Sequence, residues 1–189
     1  MKIICISGKA QHGKDSAASI AADQLRGMGF RVLVTHYADV PKYVCKAFFG
    51  WNGEKDEDGR WLLQHVGTDV VRAQDPNFWV RFVAMIVNFF PDEWDYVLIP
   101  DARFPDEIGI WSTYGFDVKH IRVIRPNFDN GLTEKQKQHP SETSLDNVEA
   151  DYVICNDGTY AQFIMKVHKV MAELIADEPY MPIVDRGHR

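Results

Sequence analysis

Apolar residues come along this chain in short blocks whose spacing alternates between that of a strand and that of a helix. Ile3 to Ile6 is an unbroken apolar run that gives way to Gly8, and so short a run bounded by a glycine predicts a buried strand. Ala17, Ala18, Ile20, Ala21 and Leu25 follow at helical spacing, with Gly27 and Gly29 as a stop. Arg31 to Tyr37, rich in Val and Leu, predicts a second strand. A helix capped by Asp39 is expected to run to about Phe49, with Pro41 tolerated in its first turn. The charged stretch Gly50 to Arg60 predicts a surface loop, and two amphipathic helices follow at Trp61–Ala73 and Phe78–Phe90. Asp95–Pro100 reads as a third strand, Glu107–Tyr114 as a short helix and Val118–Ile124 as a fourth strand. Pro126 to Pro140 is polar, contains Asn130-Gly131 and predicts a mobile connection. Tyr152–Cys155 is a fifth strand and Tyr160–Ala176 a closing helix, after which a tail with two prolines is expected to pack loosely from Asp177. Strands that alternate with helices in this way predict an α/β fold, with a mainly parallel sheet covered on both faces.

Composition narrows the function. At 189 residues a single domain is expected, and 46% hydrophobic with 12% aromatic residues is enough for a packed core. The 21 basic against 27 acidic residues give a net charge of −6, which argues against a protein that lives on a nucleic-acid polymer or an anionic membrane. Cys5, Cys45 and Cys155 are far apart, and no C-x-x-C or H-E-x-x-H is present, so a zinc site has no support. The opening apolar run is too short for a signal peptide, and the longest unbroken one, Phe82 to Val87, is far short of a membrane span. A soluble, cytoplasmic protein is the expectation.

The chemistry starts at Gly8-Lys9-Ala10-Gln11-His12-Gly13-Lys14-Asp15-Ser16, between the first strand and the first helix. The spacing G-x-x-x-x-G-K is that of a P-loop. Its glycines let backbone N–H groups turn inward around phosphate oxygens, its lysine reaches the outer phosphates, and the helix dipole favours an anion. Asp15 stands where the strict pattern has Ser or Thr. It can ligate Mg²⁺ directly or through water, Ser16 can supply the hydroxyl instead, or Asp15 merely favours the positive helix end. Asp101 ends an apolar strand, where ligands gather in open α/β sheets, and Arg103 is two residues on. The competing role for Asp101 is a helix cap.

The chain resembles the phage-type deoxynucleoside monophosphate kinases. The P-loop with its G-K-D-S ending is one match, and Tyr37-Ala38-Asp39-Val40-Pro41-Lys42 is similar to a second family segment. Leu63-Gln64, Gly67-Thr68-Asp69 and Arg72 match a third, and Asp75-Pro76-Asn77-Phe78-Trp79 a fourth. Asp101-Ala102-Arg103-Phe104-Pro105-Asp106-Glu107, His139-Pro140-Ser141-Glu142 and the final strand with Asn156 and Gly158 complete the ordered set.

The resemblance implies a P-loop three-layer sandwich with a five-stranded sheet and a small lid, forming one kinase domain over 1–176. Within it, about 39–90 would bind the acceptor and about 125–142 would be the lid. The reaction implied is transfer of the γ-phosphoryl of ATP to a deoxynucleoside monophosphate, with Mg²⁺ as cofactor. Gly8, Lys9, His12, Gly13, Lys14, Asp15, Ser16, Asn156 and Gly158 would then bind ATP, and Asp15, Ser16 and Asp101 would orient the metal. Lys42, Gln64, Arg72, Trp79, Asp101 and Arg103 are the acceptor candidates; Lys14, Arg103 and Arg125 are the candidates for catalysis. For Gln64 and Trp79 the alternative is ordinary helix packing, and for Glu142, a residue that would orient the lid, it is a solvated cap. A homodimer is compatible with the family. Two other readings remain: a phosphomevalonate kinase-like enzyme, from the Ser141-Glu142-Thr143-Ser144-Leu145-Asp146 segment, and a non-catalytic nucleotide-binding module.

Overall fold

The first apolar run forms β1 (Lys2–Ser7), the middle strand of a five-stranded parallel sheet. The computed structural model describes residues 1–177, so the expected loose tail lies, Asp177 excepted, outside the described residues. Around β1 the order is β2 (Val32–Val34), β3 (Tyr96–Ala102), β1, β4 (Asp117–Ile124), β5 (Tyr152–Cys155), every neighbouring pair parallel. Successive side chains of β1 face opposite sides. Ile4 and Ile6 join α1 (Lys14–Gly27) and α9 (Tyr160–Ala176) in one core. Ile3 and Cys5 join α5 (Phe78–Phe89) and α6 (Pro105–Thr113) in the other. The architecture is the expected three-layer α/β sandwich.

Several boundaries differ from the pattern's forecast. β2 has three residues, and α2 (Asp39–Phe49) is capped by Ala38 without a side-chain bond. Asp39 sits inside the first turn of α2, where its carboxylate meets Lys42 at 3.0 Å and His36 at 3.3 Å. The forecast loop at Gly50–Arg60 ends early, because Asp56 accepts from the Gly59 N–H at 2.8 Å and starts α3 (Glu57–Gln64). The forecast helix at Trp61–Ala73 continues through a π-helical stretch, His65–Val70, into α4 (Val71–Gln74). The polar connection after β4 holds two single-turn helices, α7 (Glu134–Lys137), capped by Thr133, and α8 (Pro140–Thr143), capped by His139. No helix among the described residues is long and apolar enough to cross a membrane.

Candidate active site

Backbone conformation builds the loop after β1. Gly8 has φ 143°, and a Cβ there would stand 2.2 Å from the carbonyl oxygen of Val123 on β4. Gly13, φ 103°, caps α1 in the left-handed region, where a Cβ would meet Asn156 Nδ2 at 3.0 Å. Only glycine takes these shapes without strain. The loop is pinned from outside as well. Asn156 Nδ2 donates to the His12 carbonyl at 3.0 Å, and the Arg125 N–H donates to His12 Nδ1 at 3.2 Å. Burial lowers the pKa of the His12 ring and so favours the neutral form, in which a ring nitrogen can accept.

Lys14 is buried inside the loop, with Nζ donating to the carbonyls of Gly8 and Lys9, both at 2.8 Å. Burial, and then the neighbouring Arg103 cation, bring its pKa down to about 8. Asp15 is exposed on the first turn of α1, where His36 Nε2 lies 3.2 Å from its carboxylate. That contact lowers the carboxyl and raises the imidazole, each favouring the charged form of the other. Ser16 is exposed on the same turn.

A register shift between β1 and β3 falls at Pro100-Asp101, since Cys5 pairs with Ile99 and Ser7 with Ala102. Proline has no N–H to give the ladder, and such irregularities re-aim side chains. Here Asp101 accepts from the amides of Tyr37 at 3.0 Å and Ala38 at 2.8 Å, fixing the start of α2. It is not the cap of α6, whose N-cap is Phe104. Burial raises its pKa, and the two amides work against that rise.

The arginines are held by carboxylates. Arg103 Nη1 donates to Glu142 Oε1 at 2.7 Å, to the Ser141 carbonyl at 3.3 Å and to the Gly8 carbonyl at 3.4 Å. Arg72 is nearly buried, its guanidinium 3.8 Å above the Phe104 ring; it bonds Glu107 at 3.0 Å and Asp106 at 2.9 Å. Its Nε makes no hydrogen bond among the described residues. Glu107 also accepts from the amides of Arg103 at 2.6 Å and Phe104 at 3.1 Å, and burial raises its pKa to about 8. Sequence reasoning assigned Glu107 no role. It stood only as the last letter of the 101–107 segment, and nothing local tied it to Arg72, 35 positions earlier.

Two cavities meet at the loop. One, of about 290 Å³, lies over the ends of β1, β3 and β4 and is lined by Gly8, Lys9, Arg103, Arg122 and Glu142 among others. The second, of about 620 Å³, lies between Lys9 and His12 on one side and Arg125, Asp129 and Lys137 on the other. Arg125 stacks on Phe128 with its guanidinium 3.8 Å from the ring centroid.

The remaining candidates lie elsewhere. Trp79 is 4% exposed in the α5 core, and its indole N–H donates to the Gly67 carbonyl of the π-helical stretch at 2.8 Å. That placement is the helix packing given as the alternative for Trp79, and so buried a ring offers no face on which a substrate could stack. Lys42 is engaged with Asp39, Gln64 is half-buried at the end of α3, and Gly158 lies beneath the folded-back side chain of Gln162. Among the described residues, no group of three or more His, Cys, Asp or Glu is arranged to hold a metal.

The fold has close company. The APS kinase CysC of Mycobacterium tuberculosis superposes with a TM-score of 0.55 over 92% of this chain and 97% of its own, at 14% identity. The dephospho-CoA kinase of Campylobacter jejuni does so at 0.50, over 92% and 98%, at 17% identity. At these identities the likeness is one of fold. In sequence, the chain is 32% identical over 114 residues to the deoxynucleotide monophosphate kinase of Escherichia phage RB69, covering 59% of this chain and 44% of that one. The enzyme of the same name from Enterobacteria phage T4 is 31% identical over 117 residues, covering 61% and 46%. The matched stretch is thus less than half of each relative's length. The family model for deoxynucleotide monophosphate kinases matches residues 51–167. With more than half of its length under that model, the chain belongs to the deoxynucleotide monophosphate kinase family.

Proposed function

We propose that this chain is an ATP-dependent phosphotransferase that moves the γ-phosphoryl of ATP to a deoxynucleoside 5′-monophosphate. One observation carries the reading: in a chain of this family, a buried P-loop lysine and an arginine from the end of the neighbouring strand border the same loop, Lys14 and Arg103 both bonding the Gly8 carbonyl. Phosphoryl transfer needs little covalent help from the protein, so positioned cations and amides supply most of the catalysis.

In this reading Lys14 and the amides of residues 8–16 hold the outer phosphates of ATP. Arg103 neutralises the moving phosphoryl, and Arg125 closes from the lid. Lys42, Arg72 and Gln64 serve the acceptor, with Arg72 offering the Nε edge that its ion pairs leave over. Asn156 and Gly158 lie on the adenine side. The exposed Asp15 carboxylate, the Ser16 hydroxyl and the Asp101 carboxylate are hard oxygen donors suited to Mg²⁺. A bound Mg²⁺ would offset phosphate charge and hold the phosphates in line. The organisation we assign is one kinase domain over 1–176, with the acceptor segment at about 39–90 and a lid at about 125–142, in a soluble cytoplasmic enzyme.

A homodimer is part of the proposal. The outer face of α5 exposes Phe78, Phe82, Met85, Ile86 and Phe89 on one stripe while its inner face is buried in the sheet core. A helix with apolar residues on two opposite faces is normally covered on both sides, and sedimentation would show whether a second copy does so.

The test of the reaction is ADP release with ATP and Mg²⁺, screened against the four deoxynucleoside monophosphates, their ribose counterparts and phosphomevalonate. Turnover that needs a deoxynucleotide supports the reading. Turnover with phosphomevalonate alone overturns the acceptor, and binding of ATP without any transfer overturns the reaction.

A further inference from the structure

Glu142 is the residue through which the lid end, the P-loop and the end of β3 meet. Its side chain is 10% exposed on α8. Oε1 accepts from Arg103 Nη1 at 2.7 Å, Oε2 accepts from the Ala10 N–H of the P-loop at 3.0 Å, and its main-chain oxygen accepts from Lys9 Nζ at 2.5 Å. The segment that carries it is tied down independently. Lys9 pairs with Asp146, and Arg122 donates to the carbonyls of Leu145, at 2.7 Å, and Val148. Arg103 has no other carboxylate partner among the described residues; its further contacts are the longer ones to the carbonyls of Gly8 and Ser141.

We propose that Glu142 is a positioning residue for Arg103 in the phosphoryl transfer, an assignment that rests on the kinase reading above. An arginine on a strand end has many rotamers, and a transition-state clamp is effective only if its geometry is set before the reaction. One carboxylate bonded to both Arg103 and the Ala10 amide fixes the guanidinium relative to the loop that cradles the phosphates. The same contact makes the placement of Arg103 depend on the docking of the 139–146 segment. Both bonds go to donors, so an isosteric amide cannot replace the carboxylate: its oxygen serves one donor and its NH₂ confronts the other.

The experiment is a double-mutant cycle on the full chain, with kcat and both KM values measured for wild type, Glu142→Gln, Arg103→Ala and the pair. Glu142→Gln is expected to lower kcat by about ten- to a hundredfold, as for a misplaced catalytic group, with little change in the KM for ATP. Added to Arg103→Ala it should cost almost nothing more. Fully additive losses would overturn the assignment, because a merely structural role has no reason to vanish with Arg103. An unchanged kcat with a lower KM for ATP would also overturn it, since the carboxylate would then be an anion competing with phosphate. If the Gln variant does not fold, Glu142→Asp keeps the charge but is one methylene too short to reach both donors. It should be slower than wild type, and equal kcat would refute the proposal. Lack of transfer by the wild type defeats the kinase reading and this assignment with it; transfer with additive variants defeats this assignment alone.

Discussion

The two sides of the candidate site are built by different means. On the proposed nucleotide side, the main chain does the work: Gly8 and Gly13 take left-handed shapes, and Val123, Asn156 and Phe163 crowd them. On the proposed acceptor side, side chains do it, through the cluster of Arg72, Asp106 and Glu107 and the Asp101 carboxylate held by two amides. A site made of backbone tolerates no added atom at its crowded glycines, whereas one made of buried ion pairs suffers when a partner is lost and the other charge is left uncompensated. The comparison teaches where each half is vulnerable.

The largest expected effect separates glycines. Gly8→Ala drives a Cβ into the Val123 carbonyl at 2.2 Å and should cost about 100-fold in kcat/KM. Gly27→Ala, with nothing within 4 Å, should leave activity unchanged. Steady-state kinetics on the two variants checks this.

Next comes Trp79, where the structure replaces substrate stacking by packing. Trp79→Ala should destabilise the fold by about 3–5 kcal/mol, as removal of a buried indole does. Denaturant unfolding measures that loss. A stable variant with only a raised acceptor KM would restore the stacking role.

Arg72 gives a smaller effect. Arg72→Lys keeps the charge but loses the fork that spans Glu107 and Asp106, and should raise the acceptor KM about tenfold, one charged hydrogen bond's worth. The KM for ATP should hardly move, and an equal rise in both would place Arg72 outside the acceptor half.

The smallest effect is a pH dependence of stability. His120 Nε2 is 2.7 Å from Ser7 Oγ, its Nδ1 is 3.1 Å from the Glu149 carbonyl, and burial lowers its pKa. The neutral ring is thus favoured in the folded state, while the unfolded chain takes up a proton near pH 6.5. Its contribution is complete above that pH and is lost as pH falls toward the depressed folded value. His120→Gln should flatten the fall in melting temperature between pH 7 and pH 5. Titration of wild type and variant by calorimetry compares the slopes.

How much of this was legible in the sequence follows the same division. The five strands and the P-loop were, because apolar runs bounded by glycines and a G-x-x-x-x-G-K spacing are local signals. The cap of α2 was not: Asp39 has the residue type of a cap, but Asp101, 62 positions on in the chain, takes the free amides. Nor was the π-helical stretch at His65–Val70, which has the apolar spacing of an ordinary helix. Arg72 and Arg103 were singled out through the family resemblance, Arg103 also by its place two residues after the strand-end Asp101. Their partners Glu107 and Glu142 lie 35 and 39 positions away from them, a distance that no periodicity bridges. The place of Trp79 in the core was foreseeable from its helical spacing, since Trp79, Val80, Val83, Ala84 and Val87 form one buried face.

The central claim is that the P-loop side holds ATP for transfer to a deoxynucleotide across the Lys14–Arg103 centre. The measurement is transfer of labelled γ-phosphate from ATP to a deoxynucleoside monophosphate, followed for wild type and Lys14→Ala. The account predicts labelled deoxynucleoside diphosphate from the wild type and a rate lower by about 10²- to 10³-fold from the folded variant, the loss expected when one oriented charge leaves a phosphate site. Equal rates from the two proteins would contradict it.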